Sequence, residues 1–399
     1  MALPHAPERQ RLLLPAPMPT ESTRCRFRRA PRPLPILGAC LLAAALLPGS
    51  TPLRPDSPTP VAGETSRGPL DRRHLAIVIN AADPLSETIG RAYQAARLIP
   101  SAQVIRVRFP PGEPDLRPEI FRSIKRTVDR LTPAHVQVYA LAWAAPYRVG
   151  CQSITSAFTF GLNARFCAEG CRTTALNPLF ARGDVRRPWD RLRLRPSMLL
   201  AATSPEMATR LIERGTASDG TAPPGTAYLL STSDPARNTR AAGYGGVVAA
   251  LASRFRVRLL QSNALVGADD VMAYFTGLAF PPGIRTNRYR PGAVADHLTS
   301  FGGRLTDSSQ MSALRWLEAG ATGSYGTVVE PCNFPAKFSD PGLLLTYYLR
   351  GDTLIESYWR SVAMPGQGVF VGEPLARPWP AGPSVRSDGA SGARPRRGR

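Results

Sequence analysis

Short apolar runs alternate with amphipathic stretches along the middle of this chain. Segment 74–79 is apolar and rich in β-branched residues, which predicts a buried strand. Strands are predicted at 74–79, 104–109, 136–143, 197–202, 227–231, 257–260, 271–275, 324–329 and 369–371. Helices are predicted at 87–98, 119–131, 205–214, 239–254, 310–319, 343–349 and 353–362. This alternation of strand and helix indicates an α/β fold with a mainly parallel sheet.

The two ends of the chain differ from this middle part. Segments 1–70 and 381–399 are rich in Pro, Arg, Ser and Gly. The run 34–48 is apolar and uncharged and follows an arginine-rich leader, which is typical of a secretory signal and short for a membrane span. We therefore predict a signal or anchor segment with a Pro-rich linker at 1–70, one α/β domain at 71–380 and a disordered basic tail at 381–399. The protein is expected in the periplasm or at the cell surface, with membrane contact only through the N-terminal segment.

The high positive charge changes this picture little. The formal net charge is +21, but only Lys125 and Lys337 are lysines, and the arginines are scattered along the chain. No basic cluster in the core is interleaved with aromatic residues, as a nucleic-acid surface would require. The pattern favours solvated surface charge, and we predict no nucleic-acid partner.

A long segment, 146–195, interrupts the alternation and contains three of the four cysteines of the core. Since the chain is predicted to be exported, disulfides are the expected state of Cys151, Cys167, Cys171 and Cys332. In one pairing, a disulfide between Cys167 and Cys171 closes a small loop, and Cys151 pairs with Cys332. The other connectivities stay open. A cysteine-rich metal site and a free, reactive Cys332 are the alternatives, and we predict no metal and no cofactor.

The stretch 291–331 has the highest density of chemistry-bearing residues. Asp296, His297 and Ser300 lie within five positions, and a Ser–His–Asp set would use His297 as the base for the Ser300 hydroxyl. Neighbouring side chains of a strand point in opposite directions, so Asp296 would not orient His297 and a more distant carboxylate would be needed. A structural hydrogen-bonding histidine and a metal ligand are the alternatives for His297.

Two glycines follow this cluster. Gly302 and Gly303 allow close backbone approach and positive φ, which is compatible with backbone N–H groups that bind an oxyanion or a phosphate. The segment has neither the spacing of a phosphate-binding loop nor that of a nucleophile elbow.

Further polar residues follow predicted strands, where ligands bind in open α/β sheets. They are Asp83 and Ser86 after the first strand, Thr276 after segment 271–275, and Glu330 after segment 324–329. We expect these groups to converge with Asp296 in one pocket. The alternative for Asp83 and Ser86 is a turn and a helix cap.

Several motifs resemble a known family. They are 146–158 (PYRVGCQSITSAF), 291–303 (PGAVADHLTSFGG), 312–332 (SALRWLEAGATGSYGTVVEPC) and 372–378 (GEPLARP). They are similar to a family of uncharacterised exported bacterial proteins that co-occurs with the exosortase protein-sorting system. The resemblance covers about 74–378 and implies no particular activity.

The order of elements is more distantly similar to gingipain-type cysteine peptidases of the caspase-like fold. In those peptidases a His-Gly pair follows one strand and the nucleophilic Cys follows the next. The resemblance aligns Thr276-Gly277 with the His-Gly pair and Ser300 with the Cys. It implies a caspase-like, three-layer sandwich in which both catalytic residues are replaced.

Two function hypotheses follow. The first is an exported cell-envelope protein, a non-peptidase relative of caspase-like peptidases, that acts as a binding or accessory protein with envelope proteins or polysaccharide as partners. The alternative is an active hydrolase or acyl-transfer enzyme that uses Ser300 or Cys332 with His297.

Overall fold

The first strand shows how the sequence builds the centre of the fold. In the computed structural model, which describes residues 68–168 and 170–381, all six residues of strand β1 (Leu75–Asn80) are buried. The strand pairs with a neighbour on each side and is covered on both faces, which favours its five apolar residues. The buried Asn80 at its end donates a side-chain hydrogen bond to the Phe109 carbonyl. Predictions for 1–67 and 382–399, including the apolar run 34–48, lie outside the described residues.

Twelve strands lie within the described residues. They are β1, β2 (Val104–Val107), β3 (Val138–Leu141), β4 (Arg148–Val149), β5 (Gln152–Ser153), β6 (Ser197–Leu199), β7 (Thr226–Ser231), β8 (Arg256–Gln261), β9 (Val271–Thr276), β10 (Tyr289–His297), β11 (Gly323–Thr327) and β12 (Gly368–Gly372). β4 and β5 form a small hairpin, and the other ten form one sheet in the order β2-β1-β3-β6-β12-β11-β10-β9-β7-β8.

The sheet consists of two parallel halves that run in opposite directions. β2, β1, β3, β6 and β12 are parallel to one another, and so are β11, β10, β9, β7 and β8. The halves meet at the antiparallel pair β11 and β12. The carboxyl ends of the two halves therefore lie at opposite edges of the sheet.

Helices cover both faces of the sheet. They are α1 (Pro84–Arg97), α2 (Pro118–Leu131), α3 (Ile154–Phe160), α4 (Pro188–Leu192), α5 (Pro205–Ser218), α6 (Tyr244–Leu251), α7 (Leu314–Ala319), α8 (Pro341–Leu349) and α9 (Leu354–Ser361). α1, α5 and α7 lie on one face, and α2, α3, α9, α8 and α6 lie on the other. The predicted three-layer α/β sandwich with a mainly parallel sheet is confirmed. None of the helices in the described part of the chain is both long and apolar enough to span a bilayer.

Several local predictions were wrong. Strand β10 was missed, because Pro291 and Gly292 within it are typical turn residues. Helices α3 and α4 and the hairpin of β4 and β5 were missed inside the segment 146–195. The N-cap of α1 is Asp83, whose side chain accepts the Leu85 N–H, and not Ser86.

Candidate functional site

Three predicted catalytic candidates lie at one edge of the sheet. β9, β10 and β11 are parallel neighbours, so they end together at what we call the β9–β11 edge. Thr276 ends β9 and is the register partner of His297, which ends β10. Ser300 follows in the next loop, so the structure brings Thr276, His297 and Ser300 to the same edge.

Both ring nitrogens of His297 are engaged by the protein. The indole N–H of Trp316 lies 2.9 Å from Nδ1 and must donate to it, so Nε2 carries the ring hydrogen and donates to the Met311 carbonyl at 3.0 Å. His297 is 1% exposed, and this burial lowers its pKa to about 3. The ring is therefore neutral at ordinary pH and has no free lone pair to accept the Ser300 proton. This geometry fits the structural alternative for His297.

The hydroxyls of Ser300 and Thr276 have no base beside them. Ser300 is half-buried, and among the described residues its hydroxyl makes no hydrogen bond to another protein group. Thr276 is fully buried, and its hydroxyl also lacks a partner within the described part. Thr276 contributes its carbonyl instead, which accepts a hydrogen bond from Arg240 Nη2 at 3.1 Å.

Asp296 lies on the other face of the sheet from His297, as the strand alternation predicts. Its Oδ1 is 2.6 Å from Arg240 Nη1, and the Ser339 hydroxyl donates to its Oδ2. Both members of this ion pair are buried. Burial opposes the charge on Arg240, but the adjacent Asp296 carboxylate raises the Arg240 pKa above its ordinary value. Asp296 is thus a buried counter-ion and does not orient His297.

Gly302 and Gly303 serve backbone packing. A Cβ on Gly303 would lie 2.4 Å from the Gly326 carbonyl oxygen, and the Gly303 N–H donates to the Thr327 carbonyl at 2.9 Å. Neither glycine has positive φ, so that part of the prediction was wrong. The close approach of Gly303 to the neighbouring strand requires glycine there, whereas a Cβ on Gly302 would lie 3.3 Å from the His297 ring. The Gly303 N–H is already used inside the protein.

The four described cysteines form two disulfides. Cys151 pairs with Cys167, and Cys171 pairs with Cys332. The prediction of disulfides is confirmed, but the pairing of Cys167 with Cys171 was wrong. Cys332 therefore has no free thiol in this form, and its bridge ties the segment 146–195 to the loop after β11.

Glu330 stabilises the turn that presents this disulfide. Its carboxylate accepts the Cys332 N–H at 2.7 Å, and Cys332 has a left-handed φ of 54°. The Glu330 carbonyl accepts a hydrogen bond from Gln367 Nε2 at 2.7 Å. The role of Glu330 in this structure is that of a turn residue beside the β9–β11 edge.

Asp83 and Ser86 do not join the other candidates. They follow β1, which belongs to the half of the sheet that runs the opposite way, so they lie at the opposite edge. Ser86 is buried, and its hydroxyl accepts the Asn80 N–H at 2.9 Å. The expectation of one shared pocket was wrong for this pair. Both residues have structural roles instead: Asp83 caps α1, and Ser86 bonds the end of β1.

A cleft of about 430 Å³ opens near the buried ion pair. Its walls come from the start of α6, the segment 335–341 and the end of α9, and they are mainly apolar. Its polar lining residues are Thr239, Arg240, Tyr244, Ser339, Asp340 and Ser361. Ser339 bonds Asp296, and Asp340 caps α8 by accepting the Leu343 N–H. The Nε of Arg240 and the hydroxyl of Thr239 are buried and have no hydrogen-bond partner among the described residues. A mainly apolar cleft with a few convergent polar groups is the usual form of a small-molecule site.

The sequence analysis missed Arg240 and Thr239. Arg240 is one of many arginines and lies in the 3-10 helix Asn238–Gly243 just before α6, where no motif distinguishes it. The available signal was indirect: Asp296 follows the apolar run 293–295, and a buried carboxylate there requires a cationic partner.

Lys337 is a second buried cation near this edge. It is fully buried, and its Nζ has no hydrogen-bond partner in the described part of the chain. The ammonium lies 5.2 Å from the centre of the Phe334 ring. Burial lowers the Lys337 pKa to about 8, against the influence of Glu330. Within the described ranges, no cluster of His, Cys, Asp and Glu side chains has the arrangement of a metal site.

Comparison with known proteins gives one distant structural match. No protein-family model matches the chain, and no curated protein matches it. A solved structure described as "Structure of Protease" aligns over 78% of this chain and 79% of its own, with 11% identity and a TM-score of 0.38. A likeness at this level says nothing about activity, and the resemblance to the exosortase-associated family stays a prediction.

Proposed function

We propose that this chain is an exported ligand-binding protein of the cell envelope without peptidase activity, and that its ligand occupies the cleft beside Arg240. The observation that carries the proposal is the state of His297. Both its ring nitrogens are engaged, by Trp316 and Met311, and its pKa is lowered by burial to about 3. The one histidine near Ser300 in sequence thus has a structural role, and the cleft offers binding without a catalytic base.

The polar groups of the cleft favour a particular kind of ligand. The charge of Arg240 is already balanced by Asp296, so a second carboxylate there would meet no net positive charge. The spare donors are Arg240 Nε and the Thr239 hydroxyl, and the walls are apolar. A ligand with an apolar body and a neutral hydrogen-bond acceptor, such as an amide carbonyl, satisfies these groups.

Export is supported by the disulfides and by the N-terminal sequence. Disulfides form and persist in oxidising compartments, and the structure has two. The arginine-rich leader and the apolar run 34–48 are typical of a secretory signal. An envelope protein or a polysaccharide remains the partner class of the proposal.

The competing proposal is a hydrolase or acyl-transfer enzyme that uses Ser300 or Cys332 with His297. Treatment of the oxidised full-length protein with a fluorophosphonate probe and a thiol-reactive probe separates the two. We expect no labelling at Ser300 or Cys332, because neither has a base or a free thiol. Labelling that is lost in Ser300→Ala would overturn the non-catalytic proposal.

The binding proposal is tested with benzamide, which has a ring and a neutral acceptor. We expect benzamide to bind more tightly than toluene or benzoate in calorimetric titrations, and Thr239→Val to weaken it about three- to tenfold. Thr209→Val is the matched control, because Thr209 lies on the exposed side of α5 and its hydroxyl bonds only the Pro205 carbonyl. Equal affinities for benzamide in the two variants would contradict the assignment of the cleft.

A further inference from the structure

A second cleft, of about 560 Å³, lies at the edge of the sheet opposite to the β9–β11 edge. Its lining comes from the amino ends of β7, β8, β9 and β10 and from Trp379. This cleft is far from Arg240 in the fold. Arg240 bonds residues near the carboxyl ends of β9 and β10, whereas this cleft lies at the amino ends of the same strands. The inference drawn from it does not depend on the proposed function.

Three guanidinium groups face this cleft with little compensation. Arg254 and Arg290 make no hydrogen bond or ion pair through their side chains within the described residues, and the Nε of Arg290 is buried without a partner. Arg256 lies 3.8 Å from Asp270 in a largely exposed contact, which is a weak interaction. Free guanidiniums in a concave site are typical of carboxylate or phosphate recognition, because their planar donors fit two oxygens at once.

Asp270 is attracted electrostatically by Arg256 and Arg290, but it leaves most of their donors unused. Both oxygens of Asp270 accept hydroxyl hydrogen bonds at 2.7 Å, one from Thr226 and one from Tyr228. Asp270, which directly precedes β9, is thus held by two hydroxyls of the neighbouring strand β7, and Asp269 is exposed at the rim. Three guanidiniums remain against two carboxylates, so the cleft has a net positive charge.

An aromatic wall adds a second kind of contact. Trp379 lies partly exposed in the cleft, and its ring is fixed by edge contacts to Phe255 at 5.7 Å and to Tyr348 at 5.3 Å between centroids. Pro223 and Pro224 extend this apolar side. A rigid indole beside free guanidiniums provides a surface on which a flat ring can stack while its charged group binds the arginines.

We infer that this cleft binds a ligand that carries an oxyanion, carboxylate or phosphate, on a ring. The oxyanion binds Arg254, Arg256 and Arg290, and the ring packs against Trp379 and the prolines. Arg254 and Arg256 are exposed, as arginines of an arginine-rich chain usually are. Here they line a concave site together with Arg290 and an aromatic ring, and Arg290 has a buried N–H without a hydrogen-bond partner in the described part of the chain.

The test is a calorimetric titration of the full-length protein with phenyl phosphate, benzoate and inorganic phosphate at low salt. We expect the two ring compounds to bind at least about tenfold more tightly than inorganic phosphate. The tighter of the two identifies phosphate or carboxylate as the preferred oxyanion. Binding should weaken when the ionic strength rises to about 0.15 M, because exposed charges are then screened beyond about 8 Å.

Two variants keep the inference falsifiable. Arg254→Met removes an exposed donor of the cleft without a described contact, and should weaken phenyl phosphate about tenfold. Arg258→Met is the matched control, since Arg258 is exposed like Arg254, lies four residues further along in β8 and does not line the cleft. Equal losses in both variants, equal affinity for phenyl phosphate and inorganic phosphate, or no saturable binding would each overturn the inference.

Discussion

The substitution His297→Gln tests whether the ring at the end of β10 is held neutral by the fold. Gln keeps a side-chain N–H that can reach the Met311 carbonyl, but it does not titrate. The variant will lose some stability at every pH, because the Trp316 indole N–H loses its present acceptor. The informative quantity is therefore the difference in pH dependence between the two proteins.

The expected change in the free energy of unfolding with pH follows from the pKa of His297. Its pKa is about 3 in the folded protein because the ring is buried, against about 6.5 in an unfolded chain. Between these values the unfolded chain binds a proton that the folded protein does not bind. The contribution of the neutral His297 ring to the free energy of unfolding is therefore fully present above about pH 6.5. It is lost as the pH falls toward 3. At pH 4.5, two units below the unfolded value, the loss is about 2.7 kcal/mol.

Urea unfolding of both full-length, oxidised proteins between pH 7.5 and about 4.5 measures this difference. Carboxylates titrate in both proteins and cancel in the comparison. The free energy of unfolding of the parent protein should fall by about 2–3 kcal/mol more than that of His297→Gln over this range. Parallel profiles would show that His297 titrates normally, and the assignment of a locked, neutral ring would fail.

Three further predictions concern residues around the same edge. Gly303→Ala should lower the free energy of unfolding by about 1–3 kcal/mol, since its Cβ would overlap a carbonyl of the neighbouring strand. Gly245→Ala is the control: nothing lies within 4 Å of that Cβ, so stability should stay unchanged or rise. Thermal unfolding measures both effects. Lys337→Met should raise the free energy of unfolding at pH 7 by about 1–3 kcal/mol, because it removes a buried cation without a hydrogen-bond partner among the described residues. This gain should shrink as the pH rises through about 8, where the lysine loses its proton in the folded protein. A loss of stability at pH 7 would contradict the description of the site. Cys332→Ser should cost about 2–5 kcal/mol in urea unfolding, and peptide mapping of the parent protein without reductant should recover Cys171 joined to Cys332.

Segments with a strong local pattern were predicted well from sequence. The apolar, β-branched run 74–79 predicted β1 within one residue at each end, because a central strand buried on both faces favours an apolar run, and its one polar residue, Asn80, lies at its end. The helical spacing over 119–131 likewise gave α2 almost in full. In both segments the local preference and the tertiary environment agree.

β10 shows where local reading fails. Pro291 and Gly292 predict a turn, yet they lie within the strand, next to an irregularity in its pairing with β9. Gly292 has a φ of 85°, and a Cβ there would lie 2.3 Å from Pro378. These two residues shape a bulge that is defined by partners distant in sequence.

The sequence by itself determined the α/β class, the predominance of parallel pairing, the presence of disulfides and the cluster of polar residues from Asp296 to Ser300. Only the tertiary structure decided what those residues do. The reversal of strand direction between β11 and β12 separates Asp83 from this cluster, and the cysteine pairing follows from which loops meet in space. His297 resembled a base in sequence, but its role depends on Trp316 and Met311, which reach it only after α7 packs on the sheet. Hydrogen-bond partners and burial set the charge and reactivity of a side chain, and neither can be read from its neighbours along the chain.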